Sequence, residues 1–182
     1  MIGFLALVGG WRATMGTLAA VGASSLRSSR DELKAVLIRR MLKGRLLSDL
    51  AEMGQAYSER IIQQRLRPTV VERIESHRSH GDQLAIVSAS LHCYLDPVAA
   101  HLGIDTVLCT ELEVDEHGIV TGELRGANCR GAEKVRRIEE RFGPAWANIW
   151  CYGDSAGDAA MLSRAARGVQ VTRAGDLRSF SR

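Results

Sequence analysis

Four polar side chains of this sequence lie at the ends of predicted strands or at the start of a predicted helix. Ser88 ends the apolar run LAIVS, and Lys134 lies in the first turn of a helix that begins at Gly131. Asp154 and Asp158 follow the apolar run IWCYG. Ligands bind at the carboxyl ends of parallel strands, so these side chains are expected to converge. A hydroxyl and an ammonium bind phosphate oxygens and carboxylates bind a hard cation, so the set predicts a phosphate–Mg²⁺ site.

Each of these residues has a more ordinary explanation when it is taken alone. A serine after a strand commonly caps a helix or forms a turn, and an aspartate in that position does the same. A lysine in the first turn of a helix is commonly a solvated charge. The combination of all four at the ends of elements is what favours a binding site.

The elements that would position these residues alternate between strand and helix from residue 84 to residue 172. LAIVSAS, TVLCTELEV, NIWCYGD and VQV have the apolar character and length of strands, and helical segments separate most of them. DEHG between TVLCTELEV and GIVTGEL predicts a hairpin. Pro97 is expected to kink or restart the helix after the first strand. The alternation predicts the fold class α/β, with a parallel sheet flanked by helices.

The first 65 or so residues show helical patterns only. A capping box is predicted at Ser29 and Glu32, and apolar residues recur at helical spacing over residues 33–41 and 50–61. The change of pattern near Pro68 marks a domain boundary. We expect a helical cap over residues 1–66 and an α/β core over residues 67–182.

Composition and charge narrow the class of protein. With 46% hydrophobic and 25% charged residues, the chain has the composition of a globular domain. The net charge is +3 and the basic residues are spread along helices without a recognised binding motif, which argues against a nucleic-acid partner. The four cysteines have neither disulfide-scaffold nor zinc-site spacing, which favours reduced thiols and a cytoplasmic location.

The apolar segment over residues 2–23 raises the question of a membrane anchor. Arg12 interrupts the segment, and no basic residue precedes it as a secretory signal requires. A bilayer span needs about 20 residues without a central charge. A buried helix is therefore the favoured interpretation, and no membrane partner is expected.

IVSAS, GAEK and GDSAGDAAML occur in this order and resemble motifs two, three and four of the haloacid dehalogenase-like superfamily. The phosphoserine-phosphatase-like branch with a helical cap is the most similar. LHCYLDPVAAHLGIDTVLCTELEV, GIVTGEL and NCRGAEKVRRIEE also resemble that branch, so the resemblance runs from about residue 31 to residue 172. The fourth motif is specific in its context, whereas the second and third are informative by order and spacing.

The resemblance assigns a role to each candidate residue. Ser88 corresponds to the phosphate-binding hydroxyl of motif two. Lys134 corresponds to the catalytic ammonium of motif three, which also binds phosphate and offsets charge on phosphate and nucleophile. Asp154 becomes the direct Mg²⁺ ligand and Asp158 the supporting catalytic carboxylate, while Gly153 allows a tight backbone turn. The implied cofactor is Mg²⁺ and the implied substrate is a small phosphorylated metabolite.

The first motif of the family is a strand that ends in DxD, and no DxD occurs in this sequence. The first aspartate of that motif is the nucleophile and the second is the general acid and base. MIGFLALVGGW resembles the cap helix after motif one, so the sequence is expected to begin just after its nucleophile. In the family this strand lies centrally in the sheet. Its absence is expected to leave two inner strand edges unpaired, weaken the fold and reduce catalysis to background.

Three hypotheses follow for function. In the first, an upstream start supplies the DxD strand, and the enzyme hydrolyses phosphomonoesters through an aspartyl phosphate. In the second, the chain is a truncated, non-catalytic remnant or a phosphate- or Mg²⁺-binding module. The third is a helical membrane-associated protein, which Arg12 disfavours. The intact candidate residues favour the first hypothesis, and phosphoserine is a candidate substrate by resemblance only. Three arginines of the N-terminal segment are better explained as exposed charges than as an anionic-substrate site: Arg39, Arg40 and Arg45.

Overall fold

The computed structural model describes residues 1–10, 14–16, 19 and 30–181. Its helices are α1 (Ile2–Gly9), α2 (Arg30–Met41), α3 (Leu47–Arg65), α4 (Pro68–Ser79), α5 (His92–His101), α6 (Ala132–Phe142) and α7 (Ala159–Arg164). Its strands are β1 (Ala85–Leu91), β2 (Thr106–Thr110), β3 (Leu112–Val114), β4 (Val120–Leu124), β5 (Trp150–Gly153), β6 (Arg167–Val171) and β7 (Leu177–Ser179). Two 3₁₀ turns complete the set, Trp146–Asn148 and Ala156–Asp158. The capping box predicted at Ser29 and Glu32 lies outside the described residues, since Ser29 is not among them.

The described strands form three sheets. β1 and β2 are parallel, β3 and β4 form an antiparallel hairpin, and β5 pairs parallel with β6, which β7 extends antiparallel. The α/β class with parallel pairing is confirmed, as is the predicted hairpin. TVLCTELEV divides at Glu111 into β2 and β3, which belong to different sheets. The antiparallel strand β7 has no apolar run and was not predicted from the sequence.

Pro97 lies inside α5 without ending the helix, so the predicted restart is not seen. Proline removes the N–H that would bond the carbonyl four residues earlier. That carbonyl belongs to Cys93, and its oxygen faces α3 at Gly54, where a methyl group would lie only 1.9 Å away. Close packing of α3 against α5 therefore accompanies the uninterrupted helix.

Two apolar clusters stabilise the structure. The first joins α1, α2 and α3 to the end of β1, to α5 and to the hairpin, and it includes Phe4, Leu37, Leu50 and Tyr94. The apolar N-terminal residues thus include a helix, α1, that buries Phe4, Leu5 and Val8. The second cluster packs α6 and α7 on β5 and reaches Val87 of β1. Within the described ranges, no helix has both the length and the apolar character that crossing a bilayer requires.

A cleft separates the sheet of β1 and β2 from the sheet of β5, β6 and β7. Among the described residues, β1 pairs only with β2, and β5 pairs only with β6. The cleft has a volume of about 1190 Å³ and runs beside the residues of both strands. Most of β1 is only half-buried despite its apolar sequence, and α4, whose Val70 and Ile74 line the cleft, buries no residue. We call this space the inter-sheet cleft; it has unpaired strand edges on both sides.

Candidate active site

Lys134 and Asp158 form a buried ion pair beside the inter-sheet cleft. Nζ of Lys134 lies 2.6 Å from Oδ1 of Asp158, and the two side chains are 7% and 8% exposed. Nζ also donates to the carbonyl oxygen of Val87 in β1 at 2.6 Å. Lys134 belongs to the first turn of α6, which packs beneath both sheets. One ammonium therefore links β1 to the loop that follows β5.

Asp158 is held by the loop itself as well as by Lys134. Both the backbone N–H and the hydroxyl of Ser155 donate to Oδ2, at 3.0 and 2.6 Å. Burial alone would raise the pKa of Asp158, but the hydrogen bonds from Lys134 and Ser155 outweigh it and hold the pKa below its usual value. The carboxylate is therefore ionised at neutral pH and fixes the ammonium of Lys134.

Gly153 is required for space rather than for a special backbone angle. It is not among the glycines with positive φ, so the tight turn expected from the sequence is not its reason. A Cβ at this position would lie 2.5 Å from Cβ of Asp158. The missing side chain allows Asp158 to fold back against the end of β5.

Asp154 directly follows β5 and lies at the mouth of the cleft. Its side chain is 53% exposed, and Oδ2 accepts a hydrogen bond from Arg67 at 3.0 Å. Arg67 precedes α4, so this contact joins the start of that helix to the carboxyl end of β5. The sequence did not indicate Arg67, because 87 positions separate the partners.

The carboxylates of the cleft could supply Mg²⁺ with few protein ligands. Among the described residues, no three His, Cys, Asp or Glu side chains are grouped closely enough to hold a metal ion. Mg²⁺ usually keeps several waters and binds through one or two carboxylates together with substrate phosphates. The exposed carboxylate of Asp154 suits such an ion, whereas both oxygens of Asp158 are already hydrogen-bonded. Asp154 is therefore the donor through which this chain would hold Mg²⁺.

Ser88 lines the same cleft as Asp154 and Lys134. Its Oγ accepts a hydrogen bond from the backbone N–H of Ser90 at 3.1 Å. A hydroxyl that accepts one bond still has its own hydrogen to donate. The fold thus brings the four sequence-predicted residues to one cleft, with Lys134 and Asp158 in direct contact.

The sequence analysis missed two further residues of the cleft, Lys34 and Asn128. Nζ of Lys34 lies 2.6 Å from Oδ1 of Asn128, although 94 positions separate them. No local pattern distinguishes Lys34 from the solvated lysines of a helix. Of the N-terminal arginines, Arg39 pairs with Glu123 and Arg45 donates to backbone carbonyls.

Comparisons with known proteins show a family and several individual proteins to which the chain is similar. The model of the haloacid dehalogenase-like hydrolase family matches residues 3–163. Protein CicA of Caulobacter vibrioides is 36% identical over 146 residues, which cover 80% of this chain and 66% of the relative. A phosphoserine phosphatase of Albidiferax ferrireducens is 29% identical over 161 residues, covering 84% of this chain and 65% of the relative.

A solved structure shares the fold. The crystal structure of a probable phosphoserine phosphatase from Vibrio cholerae, in an unliganded form, has a TM-score of 0.68 at 19% identity, and the match covers 94% of this chain and 51% of that one. The chain therefore spans somewhat less than two thirds of the length of the two curated relatives, and about half of this structural neighbour.

Proposed function

Because the chain belongs to the haloacid dehalogenase-like hydrolase family, we propose that it forms the phosphate and Mg²⁺ site of a phosphomonoester hydrolase similar to phosphoserine phosphatases. The observation that carries this proposal is the buried Lys134–Asp158 pair, which lies with Ser88 and Asp154 along one cleft between parallel strands. A buried charge pair in a cleft, surrounded by a hydroxyl and an exposed carboxylate, is suited to a polyanionic substrate.

Each residue has a role that its surroundings support. The hydroxyl of Ser88, oriented by the Ser90 N–H, would donate to a phosphate oxygen. Lys134 would offset negative charge on the phosphate and the nucleophile, and Asp158 would keep its ammonium in position. Bound Mg²⁺ would neutralise further charge on the phosphate, with Asp154 as its ligand.

The nucleophile of this reaction is proposed to come from a strand with DxD that docks in the inter-sheet cleft. Its first carboxylate would attack phosphorus and release the alcohol, which takes a proton from the second aspartic acid. Water, giving a proton to the second aspartate, would then attack the aspartyl phosphate, releasing inorganic phosphate and restoring the first carboxylate. Support for this arrangement comes from the facing strand edges of β1 and β5, which have no strand partner among the described residues.

Substrate and location follow as parts of the same proposal. Relatives named phosphoserine phosphatase make O-phosphoserine, a small phosphorylated metabolite, the first candidate. A cytoplasmic location fits the four buried and free cysteines. The division into a helical cap over residues 1–66 and a core over residues 67–182 is retained as a proposal.

The test is hydrolysis of a generic aryl phosphate by a form extended upstream through DxD. We expect turnover with Mg²⁺ and none in the presence of a chelator. Asp154→Asn should abolish turnover, because it weakens the metal site, whereas the exposed control Asp105→Asn should retain it. Full Mg²⁺-dependent activity in Asp154→Asn would show that the metal ligand is wrongly assigned.

The second candidate function is a phosphate- or Mg²⁺-binding module without turnover, which the open cleft favours if no strand fills it. Intact mass of the natively expressed protein separates the two. A product heavier than 19.9 kDa whose added residues contain DxD supports the enzyme. A mass equal to that of residues 1–182 supports the binding module.

A further inference from the structure

Lys34 is a buried cation that lines the inter-sheet cleft. It is 4% exposed, and its ammonium donates to the carbonyl oxygen of Ala89 at 2.7 Å and to Oδ1 of Asn128 at 2.6 Å. Asn128 is oriented as an acceptor, because its Nδ2 donates to Asp31 and Thr110 donates to its Oδ1. An ammonium has three N–H donors, so one has no acceptor among the described residues and could serve a ligand.

The charge of Lys34 is not balanced by a direct ion pair. Among the described residues, no carboxylate lies within 4.0 Å of its Nζ, and both of its acceptors are neutral. Lys134, which lines the same cleft, has Asp158 at 2.6 Å. Burying an ammonium without a counter-ion costs free energy, and burial lowers the pKa of Lys34 to about 8. An anionic ligand would remove this cost.

The position of Lys34 indicates which part of a ligand it would meet. Its acceptor Ala89 directly follows Ser88, the proposed phosphate-binding residue, and both line the cleft with Asn128. Lys134 and the Mg²⁺ ligand lie toward β5, whereas Lys34 comes from α2. A phosphate bound at Ser88 therefore has compensating charge on the β5 side, and its neighbouring substituent would face Lys34.

We propose that Lys34 is a specificity-determining residue that binds a second anionic group of the substrate, next to the phosphate ester. This inference rests on the proposed function for the phosphate site and deepens it. The substrate class is then a small phosphomonoester that also carries a carboxylate or a similar anion, and neutral esters are bound less tightly.

The test compares two phosphates of similar size, phosphoglycolate, which has a carboxylate, and ethyl phosphate, which has none. Their binding to the 182-residue chain with Mg²⁺ is measured by calorimetry at pH 7. We expect at least tenfold tighter binding of phosphoglycolate by the unaltered chain, because a charge-assisted hydrogen bond is gained. Lys34→Met should reduce this preference to less than twofold, and Lys34→Arg should retain most of it.

Lys43→Met is the matched control, because it removes an exposed lysine just after the same helix. It should leave the preference unchanged. Absence of a preference in the unaltered chain overturns the inference without reference to any variant, so a folding defect in Lys34→Met cannot obscure the result. A preference that persists in a folded Lys34→Met chain also overturns it.

Failure of the inference differs from failure of the proposed function. Aryl phosphate has no second anionic group, so its Mg²⁺-dependent hydrolysis by the extended form does not depend on recognition by Lys34. Hydrolysis without a binding preference would contradict only the proposed role of Lys34. A binding preference without hydrolysis would contradict the proposed phosphatase activity and support the anion site at Lys34.

Discussion

Lys134 and Asp158 form an ion pair whose loss should lower the free energy of unfolding. Replacing Asp158 by Asn leaves a buried ammonium without its counter-ion, which typically costs about 3–5 kcal/mol. We expect that loss in the free energy of unfolding, measured by urea denaturation at pH 7. Glu123→Gln breaks an ion pair with Arg39 in which both side chains are more than half exposed, and should cost less than about 1 kcal/mol. Equal losses in the two variants would contradict the role of the pair.

The same carboxylate predicts a dependence of stability on acid. The pKa of Asp158 is lower in the folded chain than its usual value of about 4, so the unfolded chain binds the proton first. Its stabilising contribution is present above about pH 4 and is lost as the pH falls through the folded value. The difference in unfolding free energy between the unaltered chain and Asp158→Asn should therefore shrink below pH 4. A difference that stays constant from pH 6 to pH 3 would contradict the assignment.

Lys34 predicts a second rise of stability with pH, in the basic range. The folded pKa of about 8 lies below the ordinary value of 10.5, so between these values the unfolded chain binds the proton and the folded chain does not. Stability of the unaltered chain relative to Lys34→Met should rise over that range, by up to about 1.4 kcal/mol per pH unit. Five charged or titratable neighbours interact with Lys34: the Met1 amine, Asp31, Cys109, Cys129 and Arg137. If the difference in unfolding free energy between the two chains stayed constant from pH 8 to pH 10, the pKa of Lys34 would not be lowered by folding.

At the scale of elements, the contact between α3 and α5 depends on Gly54. A methyl group there would lie 1.9 Å from the carbonyl oxygen of Cys93, so the helices would have to separate. We expect Gly54→Ala to destabilise the chain by about 1–3 kcal/mol, although alanine favours a helix by about 1 kcal/mol over glycine. Gln55→Ala, at the exposed neighbouring position, should change stability by less than about 0.5 kcal/mol. Thermal unfolding of both variants measures the effect, and a stabilised Gly54→Ala would contradict the close packing.

Most elements could be predicted from the sequence, because short apolar runs between turn residues indicate buried strands and periodic segments indicate helices. The candidate site could be predicted in part for the same reason, since Asp154 and Asp158 follow β5. Ser88 was expected to end its strand, but β1 continues to Leu91 and Ser88 lies within it. The contact of Lys34 with Asn128 could not be predicted, because it joins distant positions through tertiary packing alone. The uninterrupted α5 also escaped prediction, since the neighbouring helix, and not the local sequence, determines how Pro97 is accommodated.

At the scale of the whole molecule, the two parallel sheets share α6 but no described strand. The second apolar cluster connects them, with Val87 on one side and Cys151 on the other. Neighbouring strands lie about 4.8 Å apart, so a strand that bonds to β1 and β5 at once requires the two to lie roughly 10 Å apart. Such a strand would turn two small sheets into one and cover the half-buried residues of β1.

Amide hydrogen exchange tests this prediction on the chain itself. Amides of β1 and β5 that face the cleft should exchange fast in residues 1–182, because no strand protects them. A form extended upstream through DxD should slow them by about a hundredfold or more, as its strand supplies the missing acceptors. The amides of β6, already paired on both sides by β5 and β7, serve as the internal reference and should slow less. Equal exchange of β1 and β5 in both forms would mean that the added strand does not enter the cleft, and the nucleophile would then have no route to Lys134.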